Sequence, residues 1–192
     1  MSVTPLRGGP AREAELLNTV LDVLRETGYD RLTVEAVVAR VRVGRQTVYR
    51  RWPSKAELVV AAFANAATPA PDPPDTGSLR ADLLALMDVL LGELARLGDV
   101  IARLVGVARH HPELAAAMER HYLAARRRAT LEIFQRAWDR GELAAAADTE
   151  LLWQLGPATL FFRALVSGEP VDGELARRIV DHVVLPLALP RG

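Results

Sequence analysis

Residues 33–58 read TVEAVVARVRVGRQTVYRRWPSKAEL, and this stretch decides how the chain folds. Thr33 is a plausible N-cap, because a threonine hydroxyl can accept from a free amide of the first helical turn. Val34, Val37 and Val38 then recur at helical spacing up to Arg40, which makes a helix of about two turns. A turn over Val41–Val43 separates it from a second short helix, Gly44 to Trp52. Pro53 ends that helix, since proline lacks an amide hydrogen and disfavours helical dihedrals in the residue before it. Ser54 with Glu57 three residues on forms a capping box that opens a further helix through Leu58, Val59, Ala62 and Phe63.

Helix, tight turn, helix is the layout of a DNA reader whose second helix enters the major groove. Charge supports it locally. The whole chain carries 24 basic and 24 acidic residues and a net charge of zero. Between Arg40 and Lys55, however, stand Arg40, Arg42, Arg45, Arg50, Arg51 and Lys55 with no acidic residue among them. On the second helix Val48 is spaced to face inward, leaving Arg45, Gln46, Tyr49 and Arg50 as base-reading candidates. Arginine can hold guanine O6 and N7 with two parallel hydrogen bonds, and glutamine can do the same with adenine N6 and N7. Thr47, Tyr49 and Lys55 suit phosphates, which fix position without reading sequence, and Arg42 adds a charge close by. Thr33, at a helix N-terminus, is a further phosphate candidate. A solvated basic helix face with no DNA role is the bland alternative.

Upstream, Ala14, Leu17, Val20, Leu21 and Leu24 predict a first helix, with Gly28 where a C-terminal cap belongs. The expected DNA-binding domain is therefore residues 11–55, preceded by an irregular arm. Downstream, residues 68–78 include Pro69, Pro71, Pro73 and Pro74 and read as a linker. Amphipathic helices are predicted over about 79–97, 99–110, 112–140, 149–167 and 172–187. No segment reads as a strand, so the fold class is all-α, with a larger helical domain over residues 56–188.

The stretch from Thr33-Val34 through Val43-Gly44 to Leu58 resembles the DNA-binding segment of TetR-family transcriptional regulators. Thr47, Tyr49, the aromatic Trp52 and Lys55 carry the likeness most specifically, and it covers roughly residues 12 to 63. Two positions depart from the family pattern: Arg42 stands where the turn commonly has glycine, and Gly44 where the cap is commonly serine or threonine. The resemblance implies a homodimer on a palindromic double-stranded operator, acting as a repressor that a small-molecule effector releases. It also implies a dimer interface from the last two long helices, with Leu152, Leu155, Phe162, Val166, Ile179 and Val183 as candidates. The middle helices would then enclose an effector pocket, for which Leu90, Leu94, Arg103, Val107, His121, Tyr122, Trp138 and Trp153 are candidates. Control by a protein partner instead of a small ligand is the alternative.

Other classes find little support. There are no cysteines, hence no disulfides, thiol nucleophiles or zinc ribbons. His110 and His121 are eleven residues apart with Pro112 between, about 16 Å along a helix axis, which is too far for one metal. No catalytic arrangement, phosphate-cradling loop, cofactor or metal is expected. Neither a secretory leader nor a stretch long enough to span a membrane is apparent, and a cytoplasmic location is the expectation.

Overall fold

The computed structural model describes residues 9–67 and 72–190. The expected arm at residues 1–8 and the start of the expected linker, 68–71, lie outside the described residues. Ten α-helices follow one another among the described residues, and no strand is found there: α1 (Gly9–Arg31), α2 (Val34–Val41), α3 (Arg45–Arg51), α4 (Lys55–Ala66), α5 (Leu79–Ala108), α6 (Pro112–Met118), α7 (Ala124–Asp139), α8 (Thr149–Phe161), α9 (Gly173–Ile179) and α10 (Leu185–Ala188). Single π turns continue the helical path over Glu119–Leu123, Phe162–Val166 and Val180–Val184.

One sequence expectation is corrected. The predicted helices over 79–97 and 99–110 are a single helix, α5, of 30 residues. Gly98 has the local character of a break, yet an isolated glycine costs a helix only about 1 kcal/mol. Leu94 and Leu97 before it and Val100, Ile101 and Leu104 after it are buried at helical spacing on each side. In α1, by contrast, Gly28 does break the path, with φ 77° and ψ 169°, before the last turn at Tyr29–Arg31.

The chain divides into two compact units. The first holds the described residues up to 67 together with Asp99–Leu123. Its core is built on α1, where Leu16, Leu17, Val20, Leu21, Val23 and Leu24 are buried. Val34, Val37 and Val41 of α2 close one side. Helix α4 buries Leu58, Val59, Val60, Ala62 and Phe63, and a helix apolar on so many sides has to lie inside. Leu114, Ala117 and Met118 of α6 are buried in the same unit, and Tyr122 sets its ring 4.7 Å from that of Phe63.

The second unit holds the described residues from 72 to 98 and from Ala124 onward. Leu79, Leu83, Met87, Ile133, Phe134, Leu152, Leu160, Ile179 and Val184 are its main buried side chains. Gly156 lets α8 approach α5, since a Cβ there would lie 2.9 Å from Met87 Sδ. Two acidic groups are fully buried, and both are engaged. Glu93 pairs with Arg126, and Asp82 accepts from the Thr76 amide and hydroxyl, each at 2.7 Å. Glu142 accepts from the Leu79 amide at 2.8 Å at the start of α5. The hydrogen bond from Arg140, with that from Leu79, holds the Glu142 carboxyl below its ordinary range.

Candidate nucleic-acid interface

The local chemistry of α2 and α3 sets which face of α3 is exposed. Thr33 caps α2 with its hydroxyl accepting from the Ala36 amide at 3.2 Å. At the other end Arg42 takes the left-handed conformation, φ 51° and ψ 43°, and is the one non-glycine residue with positive φ among the described residues. Arg12 reaches from α1 to donate to the Val41 carbonyl at 2.9 Å, satisfying an end group of α2. Gly44 caps α3 by backbone geometry alone. Val48 is fully buried and Trp52 nearly so, with its amide donating to the Val48 carbonyl at 2.8 Å. That pins one face of α3 to the core and turns the opposite face outward.

On the outward face, Arg42, Arg45, Gln46 and Arg50 are exposed, while Thr47 and Tyr49 are half-buried. Thr33 is exposed at the start of α2. The six cations of the basic run separate into two groups. Arg40 is bound by both its terminal nitrogens to Glu26, and this lowers the Glu26 pKa and raises that of Arg40. Arg51 donates through Nε to Glu13 at 3.1 Å and lies over the Trp52 ring. Arg45 is 2.8 Å from Glu35, with its guanidinium 5.2 Å from the centre of the Tyr49 ring. Lys55 donates to the Tyr29 carbonyl at 2.9 Å and to that of Asp30 at 3.4 Å, above the Tyr29 ring. Its ammonium thus ties the start of α4 to the end of α1. Arg42 and Arg50 have no ion-pair partner among the described residues.

The back of this head is held to the remainder of the first unit by carboxylates. Glu57 of α4 pairs with Arg120 and, at 2.7 Å, with His121, both presented by the π turn Glu119–Leu123. Burial acts to raise the Glu57 pKa, but the hydrogen bonds and charges of Arg120 and His121 outweigh it and hold the carboxyl below its usual value. His111 meets Asp30 at 2.7 Å and sets its ring edge-on to Tyr29 at 4.8 Å. Burial pushes the Tyr29 phenol up to about 12. Sequence reasoning did not find Arg12, Glu13, Glu35 or Arg120, because nothing in a linear spacing reveals a partner on another helix.

The eight residues expected at an effector pocket are distributed over both units. In the first, Arg103 is exposed, Val107 half-buried, His121 paired with Glu57 and Tyr122 buried against Phe63. In the second, Leu90 is half-buried, Leu94 buried, Trp138 49% exposed, and Trp153 half-buried with an indole N–H that finds no acceptor among the described residues. A cavity of about 280 Å³ in the second unit is lined by Trp138 with Leu131, Phe134, Gln135, Leu143 and Thr149 among others. The residues expected at a dimer interface also divide. Leu152 and Ile179 are buried in their own chain and Leu155 is half-buried, whereas Phe162, Val166 and Val183 are exposed at 61%, 71% and 38%. No group of His, Asp and Glu among the described residues is arranged to hold a metal ion. No helix among the described residues is long and apolar enough to cross a membrane.

A trihelical head with a slim, cationic outer helix, followed by a larger all-helical body, is the construction of a helix-turn-helix transcriptional regulator. The chain belongs to the TetR family of bacterial regulatory proteins. The family's N-terminal domain matches residues 16–62, and the tetracyclin repressor-like C-terminal domain matches residues 73–183. An HTH-type transcriptional regulator of Mycobacterium tuberculosis is 41% identical over 175 residues, 91% of this chain and 87% of that one. A protein of Mycobacteroides abscessus described as the DNA-binding transcriptional repressor TetR is 35% identical over 184 residues, 95% of this chain and 96% of its own. Among solved structures, a TetR family transcription regulator with 30% identity superposes with a TM-score of 0.73, covering 93% of this chain and 99% of that one.

Proposed function

We propose that this regulator is a repressor that binds a palindromic operator as a homodimer and leaves it when a small-molecule effector binds. The exposed face of α3 carries the reading: Arg45, Gln46 and Arg50 stand outward over a fully buried Val48. Tyr49 and Thr47 flank them, and Arg42 and Thr33 lie at the ends of α2, positioned for phosphates. Description of a 35% identical relative as a repressor favours repression over activation.

Dimerisation is supported by the exposed apolar side chains Phe162, Val166 and Val183, which a lone subunit would leave in water. Two heads related by a two-fold axis read two half-sites, hence the palindrome. The effector reading rests on the cavity beside Trp138, where Leu131, Phe134 and Leu143 stand with the polar groups of Gln135, Thr149 and Glu150, a mixed lining that suits a small aromatic molecule carrying polar groups. The protein acts in the cytoplasm, where its operator lies.

The test is selection of bound duplexes from a random DNA pool at about 150 mM salt, where contacts to phosphate alone are largely suppressed. A palindromic motif is expected, and the absence of any enrichment by folded, ligand-free protein would overturn the operator reading. A thermal-shift screen of metabolites then seeks the effector, because a ligand that binds the native state stabilises it by mass action. A stabilising compound that leaves operator affinity unchanged would sink the release mechanism.

A further inference from the structure

Four of the six cations between Arg40 and Lys55 have intramolecular partners, and of those four only Arg45 is a base-reading candidate. Its partner Glu35 sits in the first turn of α2, while Arg45 opens α3, so the pair spans the helix-turn-helix itself. Both side chains are open to solvent, at 62% and 51%, so the pair lies within reach of an incoming duplex instead of being locked in a core. The Tyr49 ring takes the face of the same guanidinium.

Resting on the operator reading above, we infer that Glu35 sets sequence specificity by holding Arg45 away from phosphates. Arg45 then engages DNA only where a guanine accepts two of its hydrogen bonds. Either oxygen of a phosphate, or both, can take Arg45, but this exchanges one solvent-exposed anionic partner for another, so moving from Glu35 gains little. It also leaves the Glu35 carboxylate beside a polyanion. Guanine presents O6 and N7 together inside the groove, and that bidentate contact, which discriminates between bases by about 5- to 150-fold, is the one that outweighs breaking the pair. Glu35 therefore works through Arg45 as a positioning residue. On random sequence the run engages DNA through Arg42 and Arg50, with Arg45 held back.

The test compares Glu35→Gln with the wild type on the selected operator and on a random duplex across a salt series. Glutamine keeps the side-chain length, and the exposed site should leave the helical signal in circular dichroism unchanged. Affinity for random DNA is expected to rise up to about fivefold per subunit, the scale of an exposed ion pair. The salt dependence on random DNA is expected to steepen by about 0.9 per subunit as Arg45 reaches a phosphate. Operator affinity rises less, so the ratio of specific to random binding falls. The same substitution in an Arg45→Ala background is expected to leave that ratio unchanged. A ratio unaltered by Glu35→Gln would overturn the inference. So would an equal gain on random DNA in the Arg45→Ala background, since Glu35 would then act by plain repulsion. Failure of the wild type to prefer any sequence is a separate outcome, and it removes the operator reading together with this one.

Discussion

Replacing Arg42 by glycine should make the protein more stable and a weaker DNA binder. Arg42 holds φ 51° and ψ 43° at the end of α2, with its side chain exposed and unpaired among the described residues. For a residue with a Cβ, the left-handed region costs roughly 1–2 kcal/mol. Glycine removes that strain, while the extra freedom it gives the unfolded chain takes back about 0.5–1 kcal/mol. At the middle of those ranges the net gain is about 0.75 kcal/mol, which for a chain of this length corresponds to roughly 1.5–3 °C in the melting temperature. DNA binding should move the other way. Loss of one phosphate contact per subunit reduces the slope of log affinity against log salt by about 0.9 per subunit, on operator and random duplex alike. Arg42→Ala separates the two effects: it loses the charge and keeps the strain, so the salt slope falls and the melting temperature does not rise. Differential scanning calorimetry and fluorescence anisotropy across a salt series measure both quantities. A melting temperature that falls with glycine, or a slope that does not change, would refute the view that a strained residue is kept for its charge.

Three further outcomes are expected. Phe162→Glu places a charge on a side chain that is 61% exposed, so sedimentation should show loss of the dimer with helicity retained; an intact dimer would move the interface elsewhere. Lys55→Met removes an ammonium that donates to the Tyr29 and Asp30 carbonyls and should cost about 1.5–3 kcal/mol in denaturant unfolding, with the DNA salt slope unchanged. A slope lower by about one unit would instead put Lys55 on a phosphate. Glu142 has a folded-state pKa below the ordinary 4.5, so its contribution is present above that value and is lost as pH falls through the lower, folded pKa. Glu142→Gln should accordingly flatten the acid limb of melting temperature against pH below about 4.5, with a modest loss at neutral pH where the carboxylate no longer caps α5. An acid limb of unchanged steepness would assign the pH dependence to other carboxylates.

The helix-turn-helix was legible because its determinants are local. Thr33 and Ser54 cap the helices they precede, Pro53 follows the end of α3, and Val48 is spaced to the inner face; each acts within a few residues of its own position. The continuity of α5 was not legible. Gly98 satisfies the local pattern of a break, and the burial of Leu97 before it and Val100 after it is decided by what packs against each. For the apolar stripes near the C-terminus, periodicity cannot separate a side chain buried in its own subunit from one left facing out. Leu152 and Phe162 read alike in the sequence, and only packing leaves one at 4% exposure and the other at 61%.

The charged residues divide in the same way. Composition shows six cations and no anions from Arg40 to Lys55, and by itself that marks a basic run without saying how much of its charge is left for DNA. Which of those cations remain free is settled by Glu13, Glu26, Glu35 and the end of α1, at separations along the chain of up to 38 residues. Backbone preference and side-chain period act over single turns, so the sequence alone determined the helix-turn-helix with its caps, the all-helical class and the family, but not the continuity of α5. Pairing of charges and burial of faces depend on residues brought together from distant segments, and only the tertiary structure decided those.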